Sequence, residues 1–446
     1  MPSLRLALAC SVFATSCLMA VLAPSTAHAA TTQQPAFTDQ EVSDAYIYLL
    51  GRLLVLRQQQ LDFREGMNWN QLVHRKPGAV DWPNPNLDVA YSEAWVAVDD
   101  HSCTLVSVPE ISDRYYTVQF LNGWGETLAN INERTFAQHP SGDFAVCLKG
   151  ASVELPAGVQ RLDLPVRTAR VLSRVELGAD PQQAERLQRR FSMWPSGSPR
   201  LPEVPQVPLF GLQQLPGVEA FDIAEVALEE PDLNPGMDRL QTRVRALAAL
   251  IGDPAQRARV DAVVRKQAFA ALAKAAPTLG PGTVRNGWVR PAVSGAYGSD
   301  YLTRTLVDLG GIWANTQQEV KYFRGAVDRN GELLDGSRSY SLTFPRDQLP
   351  STFARYFWSI TATNAKTFKV LPNSQGRFLL NNQSALRHNE DGSLTLYFGP
   401  QPPQGVAEAN WLPTIPGQGF RLMFRYYGAR GAVASGDYFP PVLVKL

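Results

Sequence analysis

The chain has 446 residues, and its 42 lysines and arginines nearly balance its 41 aspartates and glutamates, so the formal net charge is +1. A nucleic-acid-binding surface requires an excess of basic residues, and this composition provides none. The length allows two or three domains with complete hydrophobic cores.

The first 29 residues have the pattern of a secretory signal peptide. Arg5 precedes an acid-free apolar run and Pro24, and the small residues Ala27 and Ala29 form an Ala-x-Ala cleavage site. We therefore expect export to the periplasm or the extracellular space, with cleavage near Ala29. Two alternatives are an uncleaved membrane anchor and a lipoprotein attached through Cys17, although the usual large aliphatic residue before such a cysteine is absent.

Two cysteines remain after such a cleavage, Cys103 and Cys147. An oxidising compartment favours a disulfide between them, and two separate buried thiols are the alternative.

Residues 30–175 are predicted to form an N-terminal helix followed by a β domain. Thr38–Glu41 is a capping box, and apolar residues at helical spacing follow it, which predicts a helix over residues 39–61. Between Trp82 and Val166 short β-branched and aromatic runs alternate with turn residues. The runs are too close together for crossover helices, so we expect antiparallel sheets.

Residues 176–318 are predicted to form a helical section. Asp180-Pro181, Asn234-Pro235 and Asp253-Pro254 each combine an N-cap residue with a proline at the first helical position. A proline-rich connection at 192–208 lies between the first two, and a last helix is expected over residues 300–318.

Strand patterns return in residues 319–446. Asp328–Gly331 and Asn389–Gly392 lie between apolar runs, and each is predicted to form a hairpin turn. The predicted fold class is α+β, with two mainly antiparallel β-sandwich-like domains and a helical section between them. We find no second membrane span, so the mature chain is expected to have no stable membrane span.

The sequence contains none of the familiar catalytic or nucleotide-binding motifs, such as a Gly-x-Ser-x-Gly elbow or a Gly-x-Gly-x-x-Gly loop. We therefore predict no cofactor. A histidine-rich metal site is not expected either, because the four histidines that follow the signal peptide are scattered. They are His74, His101, His139 and His388.

The sequence VAYSEAWVAV, residues 89–98, reads as one strand with two different faces. Tyr91, Glu93 and Trp95 share the roomier face, where a ligand or another layer of the protein is expected. Ser92 falls on the opposite face of small, mostly apolar residues. That face is expected to pack tightly, which argues against Ser92 as a nucleophile.

Three further polar or aromatic residues are candidate ligand contacts, each beside a structural alternative. Asp88 precedes the strand, where a turn cap is the more frequent role of an aspartate and a ligand contact is the other. Arg114 is expected to pair with a nearby acid or to contact an anion or sugar. Trp411 lies beside Asn410 in a loop-like setting, where an aromatic platform for a sugar competes with core filling.

The chain resembles a bacterial family of paired domains of unknown function, numbered 1254 in the N-terminal part and 1214 in the C-terminal part. The similarity to the first is carried by PNLDVAYSEAWV, VSVPEISDRYYTVQFLNGW, NERT and SGDFAV, and the similarity to the second by GELLDGSRSYSLTFP, FWSITATN, GRFLLNN, NEDGSLTLYFGP and ANWLPTIPGQGFRLMFRYYG. One departure is Val89, where the family usually has a threonine.

The resemblance implies two β-sandwich-like domains with a helical section, and it implies no established reaction. If the two β domains face each other, the matching residues that lack an obvious structural role are expected at a site between them, because clefts between domains are preferred ligand sites. With Glu93 from the strand pattern, the ligand-binding candidates are Asp88, Tyr91, Glu93, Arg114, Arg377 and Trp411.

Three functions are compatible with these residues. The first is an exported, envelope-associated protein that binds a small polar or amphipathic ligand, such as a glycan or lipid fragment, between its β domains. The second is a hydrolase or lyase that uses carboxylates such as Asp88 and Glu93, supported by Tyr91 or Arg114. The third is a scaffold that binds other proteins through its sandwich faces. The sequence does not determine the oligomeric state.

Overall fold

Helices lie at the start of the described chain and in its middle part. The structure is a computed structural model that describes residues 36–78 and 83–446, so the predicted signal peptide lies outside the described residues. The helices are α1 (Asp39–Arg64), α2 (Pro181–Gln188), α3 (Ala224–Ala227), α4 (Met237–Leu250), α5 (Pro254–Val263), α6 (Phe269–Ala275), α7 (Tyr301–Gly311) and α8 (Gly431–Ser435).

The strands fall into two groups, one before α3 and one after α6. They are β1 (Val73–His74), β2 (Val89–Ala97), β3 (Thr104–Val108), β4 (Tyr116–Leu121), β5 (Thr127–Ile131), β6 (Gly142–Leu148), β7 (Gln160–Leu164), β8 (Thr168–Glu176), β9 (Ser192–Pro195), β10 (Thr283–Arg285), β11 (Trp288–Arg290), β12 (Val320–Gly325), β13 (Tyr340–Phe344), β14 (Trp358–Asn364), β15 (Leu379–Asn381), β16 (Leu394–Gly399), β17 (Trp411–Pro413), β18 (Phe420–Tyr427) and β19 (Val444–Lys445).

The capping predictions locate two of the helix starts. The Asp180 and Asp253 carboxylates accept hydrogen bonds from the backbone N–H groups three residues later, so α2 and α5 start at the predicted prolines. Helix α4 starts two residues after Pro235, because Gly236 precedes it in a left-handed conformation.

The last predicted helix is shorter than the sequence indicated. Helix α7 ends at Gly311, not near residue 318, because the backbone leaves the helical region at Ile312 and Trp313 has a φ of 59°. This early end returns the chain to the start of β12, where the second group of sheets begins.

The first group of strands forms a β-sandwich. Sheet I has the order β1-β2-β8-β4-β5 with antiparallel pairing, and sheet II has the order β7-β6-β3-β9. Alternate residues of β2, including Ala94 and Val96, point into the core between the two sheets, together with Val106 of β3 and Phe144 of β6. The opposite face of sheet I, which we call its outer face, is left to other layers.

The second group of strands forms another sandwich. Sheet III has the order β10-β11-β12-β18-β14-β15, and sheet IV has the order β17-β16-β13-β19, with all pairs antiparallel except β16 with β17. Phe323, Leu342, Phe398 and Phe424 are all buried in the core between them. Sheet III therefore also has an outer face. The predicted α+β class with two mainly antiparallel sandwich-like domains is confirmed, while the predicted domain boundaries stay a prediction.

Helix α1 covers part of the outer face of sheet I. Almost all of its residues from Val42 to Gln60 are buried, because α4 and α7 also pack against it. Gly51 permits a close approach to α7, since a side chain there would lie only 2.7 Å from the Thr305 hydroxyl.

The remaining part of that outer face meets sheet III. Glu319, the residue before β12, is only 1 % exposed. Its carboxylate accepts hydrogen bonds from the Tyr115 hydroxyl at 3.0 Å and the Asn132 amide at 3.2 Å, and it pairs with Arg134 at 2.6 Å. The two sandwiches thus meet through a buried polar contact.

The structure joins Cys103 and Cys147 in a disulfide between β6 and the residue that precedes β3.

Within residues 36–78 and 83–446, no helix is both long enough and apolar enough to cross a membrane.

Replacing both cysteines by serine is expected to lower the free energy of unfolding by about 3–4 kcal/mol, because the disulfide closes a loop of 44 residues in the unfolded chain. Urea unfolding of the two proteins measures this difference. Adding a reductant should destabilise the native protein and leave the double variant unchanged, and equal stability of both proteins would contradict the prediction.

Candidate functional site

A cleft with a volume of about 560 Å³ opens between the two sandwiches. One wall comes from the start of β2, the end of β8 and the start of α2, and the other comes from β15 and the loops around it. The lining residues are Gly78, Leu87, Asp88, Glu176, Leu177, Gly178, Pro181, Phe357, Gln375, Gly376, Arg377, Phe378, Leu379, Asn381, Asn382 and Gln383. We call this the interdomain cleft.

Asp88 connects the two walls of the interdomain cleft. The expectation that Asp88 caps the turn is wrong, because the Asn86 side chain is the acceptor, taking a hydrogen bond from the Asp88 backbone N–H at 3.0 Å. The Asp88 carboxylate instead accepts a hydrogen bond from the Asn381 amide at 2.8 Å. Burial raises the pKa of Asp88, although Asn381, the nearby Ser359 hydroxyl and Arg425 act in the opposite direction. Its second oxygen, Oδ2, is buried without a hydrogen-bond partner in the described chain.

Glu176 is the second carboxyl group of the cleft. It ends β8 opposite Val89 in the antiparallel register, which brings it next to Asp88. Its carboxylate accepts the Tyr115 backbone N–H at 2.9 Å. Burial raises the pKa of Glu176, and the Asp88 carboxyl raises it further, against the effects of Tyr115 N–H and Arg114.

Arg114 lies behind Glu176. Its guanidinium donates to the Glu176 backbone carbonyl at 3.0 Å and to the Gln183 side chain at 2.6 Å, so it anchors α2 beside the cleft. No ion pair of Arg114 with an acid is found among the described residues, in contrast to the structural alternative.

The other wall contains Arg377. Its Nη1 donates to the backbone carbonyls of Glu408 at 2.6 Å and Trp411 at 3.2 Å. The Trp411 indole is 5 % exposed and donates to the Gly399 carbonyl at 2.9 Å. Trp411 therefore fills the core behind Arg377 and presents no platform to the cleft.

The roomier face of β2 is divided between two environments. Glu93 pairs with Arg170 at 2.7 Å and Arg75 at 3.1 Å, and the Trp95 indole donates to Asp62 of α1 at 2.9 Å. Two arginines therefore hold Glu93 and helix α1 holds Trp95, and neither residue lines the interdomain cleft. Tyr91 lies nearer the start of the strand, where it packs against residues of the second sandwich.

Ser92 lies on the packed face, as strand alternation predicted. Its hydroxyl is 2.8 Å from Nδ1 of His74 on the neighbouring strand β1, but the serine side chain is fully buried. A substrate cannot reach it without local unfolding, so the pair is unsuitable for nucleophilic catalysis.

The structure thus brings Asp88 and Arg377 to one cleft, with Arg114 beside it, and leaves Glu93 and Trp411 in structural contacts. Sequence reasoning missed Glu176 and Asn381. Asn381 lies within the motif GRFLLNN, which could have identified it as a candidate. Glu176 lies in no such motif, and only the pairing of β2 with β8, which sets it opposite Val89, brings it to the cleft. Across the described ranges, no three side chains of the metal-binding types cluster as ligands.

The fold defines a protein of two β-sandwiches with a cleft of mixed polar and apolar lining between them. Residues 69–195 match the family model described as "Protein of unknown function (DUF1254)", and residues 319–431 match "Protein of unknown function (DUF1214)". The chain therefore belongs to the family in which a DUF1254 domain precedes a DUF1214 domain, and the resemblance seen in the sequence is confirmed.

Two solved structures are similar over most of the chain. The VPA0106 protein from Vibrio parahaemolyticus is 19 % identical with a TM-score of 0.62, over 92 % of this chain and 99 % of that one, and it shows a shared fold. An uncharacterised protein from Burkholderia cenocepacia is 12 % identical, with a TM-score of 0.44 over 92 % of each chain. No curated protein matches.

Replacing Asp88 by asparagine is expected to reduce the loss of stability that accompanies rising pH. The pKa of Asp88 is higher in the folded than in the unfolded protein, so its ionisation destabilises the fold as the pH rises from about 4 through the folded pKa. The variant should therefore gain stability relative to the native protein between pH 4.5 and pH 8 in urea unfolding.

Asp391→Asn is the matched control. The Ser393 hydroxyl lowers the pKa of this exposed carboxyl, so the difference between variant and native protein should stay constant between pH 4.5 and pH 8 and should change, in the opposite direction, only below about pH 4. Equal pH dependence in native protein and Asp88→Asn would contradict the prediction.

Proposed function

We propose that this protein is exported, is associated with the cell envelope and binds a small polar or amphipathic ligand, a glycan or lipid fragment, in the interdomain cleft. The observation that carries the proposal is the cleft itself, whose walls come from both sandwiches and combine carboxyl, guanidinium and amide groups. Its volume falls within the range of small-molecule sites, and concave sites between domains are favoured for ligands.

The lining suits a ligand with both polar and apolar surface. Phe357, Phe378 and Leu379 supply apolar contacts, and Asp88 and Glu176 supply hydrogen-bonding groups at the opposite wall. Sugars and lipid fragments present such mixed surfaces. The Oδ2 atom of Asp88, which has no hydrogen-bond partner among the described residues, supports a ligand in the cleft, because a buried carboxyl oxygen is costly when it has no partner.

Export is supported by two features. The first 29 residues have the signal-peptide pattern. The Cys103–Cys147 disulfide belongs to a type of bond that persists in oxidising compartments outside the cytosol.

Binding is expected to raise the thermal stability of the protein, by about 2.7 kcal/mol at a ligand concentration of one hundred times Kd. Thermal unfolding with glucose, N-acetylglucosamine, glucuronate, octanol and octanoate tests this. Asn382→Trp places a bulky ring at the cleft and should abolish the stabilisation, whereas Asn330→Trp, at an exposed turn away from it, should not. Absence of any stabilisation, or stabilisation that both variants retain, would argue against the proposal.

A second candidate is a hydrolase or lyase that uses the two carboxyl groups of the cleft. The specific observation is that Asp88 and Glu176 are neighbours whose pKa values are both raised, which suits one of them as a general acid.

If this candidate is correct, Asp88→Asn and Glu176→Gln should each lower turnover of an ester, glycoside or polyuronate substrate at least 100-fold. Glu93→Gln, which alters a carboxylate already paired with arginines, is the control and should retain activity. Activity that survives both cleft substitutions, or no activity on the three substrate classes, rejects it.

A further inference from the structure

Two tyrosine–arginine pairs face the space between the sandwiches, one from each sheet. In sheet I, Tyr91 of β2 lies directly opposite Arg174 of β8. In sheet III, Tyr322 of β12 lies directly opposite Arg425 of β18. These residues alternate with those that fill the two sandwich cores, so all four project from the outer faces.

The two pairs belong to one cluster. The Asn315 backbone N–H donates to the Tyr322 hydroxyl at 3.3 Å, while its side-chain oxygen accepts from Arg174 at 3.1 Å. The cluster adjoins the interdomain cleft, because Arg425 donates to the carbonyls of Asn84 and Pro85, shortly before Asp88. We call Tyr91, Arg174, Asn315, Tyr322 and Arg425 the Tyr–Arg cluster.

The positive charges of this cluster lack carboxylate partners. Arg174 is 4 % exposed and Arg425 3 %. Arg174 donates to the Gln119 side chain, the Asn315 side chain and the Trp313 carbonyl, and the third acceptor of Arg425 is the Thr361 hydroxyl. All of these acceptors are neutral. Within the described parts of the chain, neither guanidinium lies within ion-pair distance of an acid.

Three other arginines with little exposed surface have acidic partners, whereas Arg52, which is 4 % exposed, donates to the Ala227 and Gly123 carbonyls. Arg134 pairs with Glu319, Arg170 with Asp62 and Glu93, and Arg304 with Asp232. A buried cation without a counter-ion is costly, so a matching anion would offset the cost at Arg174 and Arg425. Arg425 lowers the pKa of Asp88, but the burial of Asp88 opposes the ionisation of that carboxyl.

The groups that remain unpartnered in the cluster are hydrogen-bond donors. Asn315 is 1 % exposed, and its Nδ2 makes no hydrogen bond with any described residue. The Tyr91 hydroxyl has no partner in the described ranges, and the Tyr322 hydroxyl accepts one bond and retains its own proton. Arginine, tyrosine and amide donors around one position are complementary to an oxyanion.

We propose that the Tyr–Arg cluster binds the oxyanion of a small organic acid, so that the ligand of the interdomain cleft is anionic. This inference rests on the proposed function and specifies the chemical class of its ligand. A carboxylate and a phosphate ester share the required chemistry, and the apolar part of the ligand would extend towards Phe357 at the cleft.

The test compares compounds that differ only in the acidic group. Glucose, glucuronate and glucose 6-phosphate form one series, and octanol and octanoate form the other. Calorimetric titration is expected to give at least tenfold tighter binding for the acid than for its neutral counterpart in one series, and the two acidic sugars distinguish a carboxylate from a phosphate.

Tyr91→Phe removes one donor and is expected to weaken binding of the acid at least fivefold. It should leave the unliganded protein as stable as before, because this hydroxyl has no partner among the described residues. Tyr116→Phe is the matched control in the same sheet, since its hydroxyl donates to the Pro140 carbonyl on the other side and its loss should leave affinity unchanged.

The outcomes separate the two proposals. Equal binding of acid and neutral compound overturns the anionic ligand and retains the cleft as a binding site. Binding of the acid that Tyr91→Phe does not alter also overturns it, because the anion is then held elsewhere. Failure of every compound to bind overturns both proposals.

Discussion

The buried carboxylate of Glu319 fixes how the two sandwiches meet. An ion removed from water costs several kcal/mol unless close partners replace the lost hydration. Here the partners are Arg134, Tyr115 and Asn132, and all three belong to the first sandwich or its loops, while Glu319 immediately precedes the first long strand of the second. Sliding one sandwich against the other would leave this charge unpaired, so their relative position is strongly specified.

A polar contact between the sandwiches has a further consequence. Most apolar residues of β2, β12 and β18 point into the two sandwich cores, and the alternate residues that meet between the sandwiches combine Val89 and Val320 with tyrosine, arginine and threonine. A small buried cluster of Val89, Tyr115, Val320, Phe357 and Tyr427 joins the two faces, and the polar groups around it need partners of their own. Most groups find one, but within the described chain several do not, including Asp88 Oδ2 and Asn315 Nδ2. The interdomain cleft and the Tyr–Arg cluster lie where this matching is incomplete.

Strand alternation explains how much of the candidate site was predictable. The small side chains of residues 90–98 predicted that Ser92 is packed, and the structure buries it completely. The same alternation grouped Tyr91, Glu93 and Trp95, yet it did not indicate that α1 contacts Trp95, that arginines pair with Glu93 and that Tyr91 faces sheet III. Which layer covers a face depends on contacts between distant segments, and no periodicity within one strand contains that information.

The sequence by itself determined the α+β class, the two strand-rich parts, the starts of α2 and α5 and the family, because turn chemistry, capping and hydrophobic period are local properties. Only the tertiary structure decided which polar residues share a site. Asp88 meets Asn381 across 293 residues, and Glu176 becomes its neighbour through strand register. The physical reason is that partners for buried polar groups are chosen by the packing of whole sheets, and a linear pattern does not record that packing.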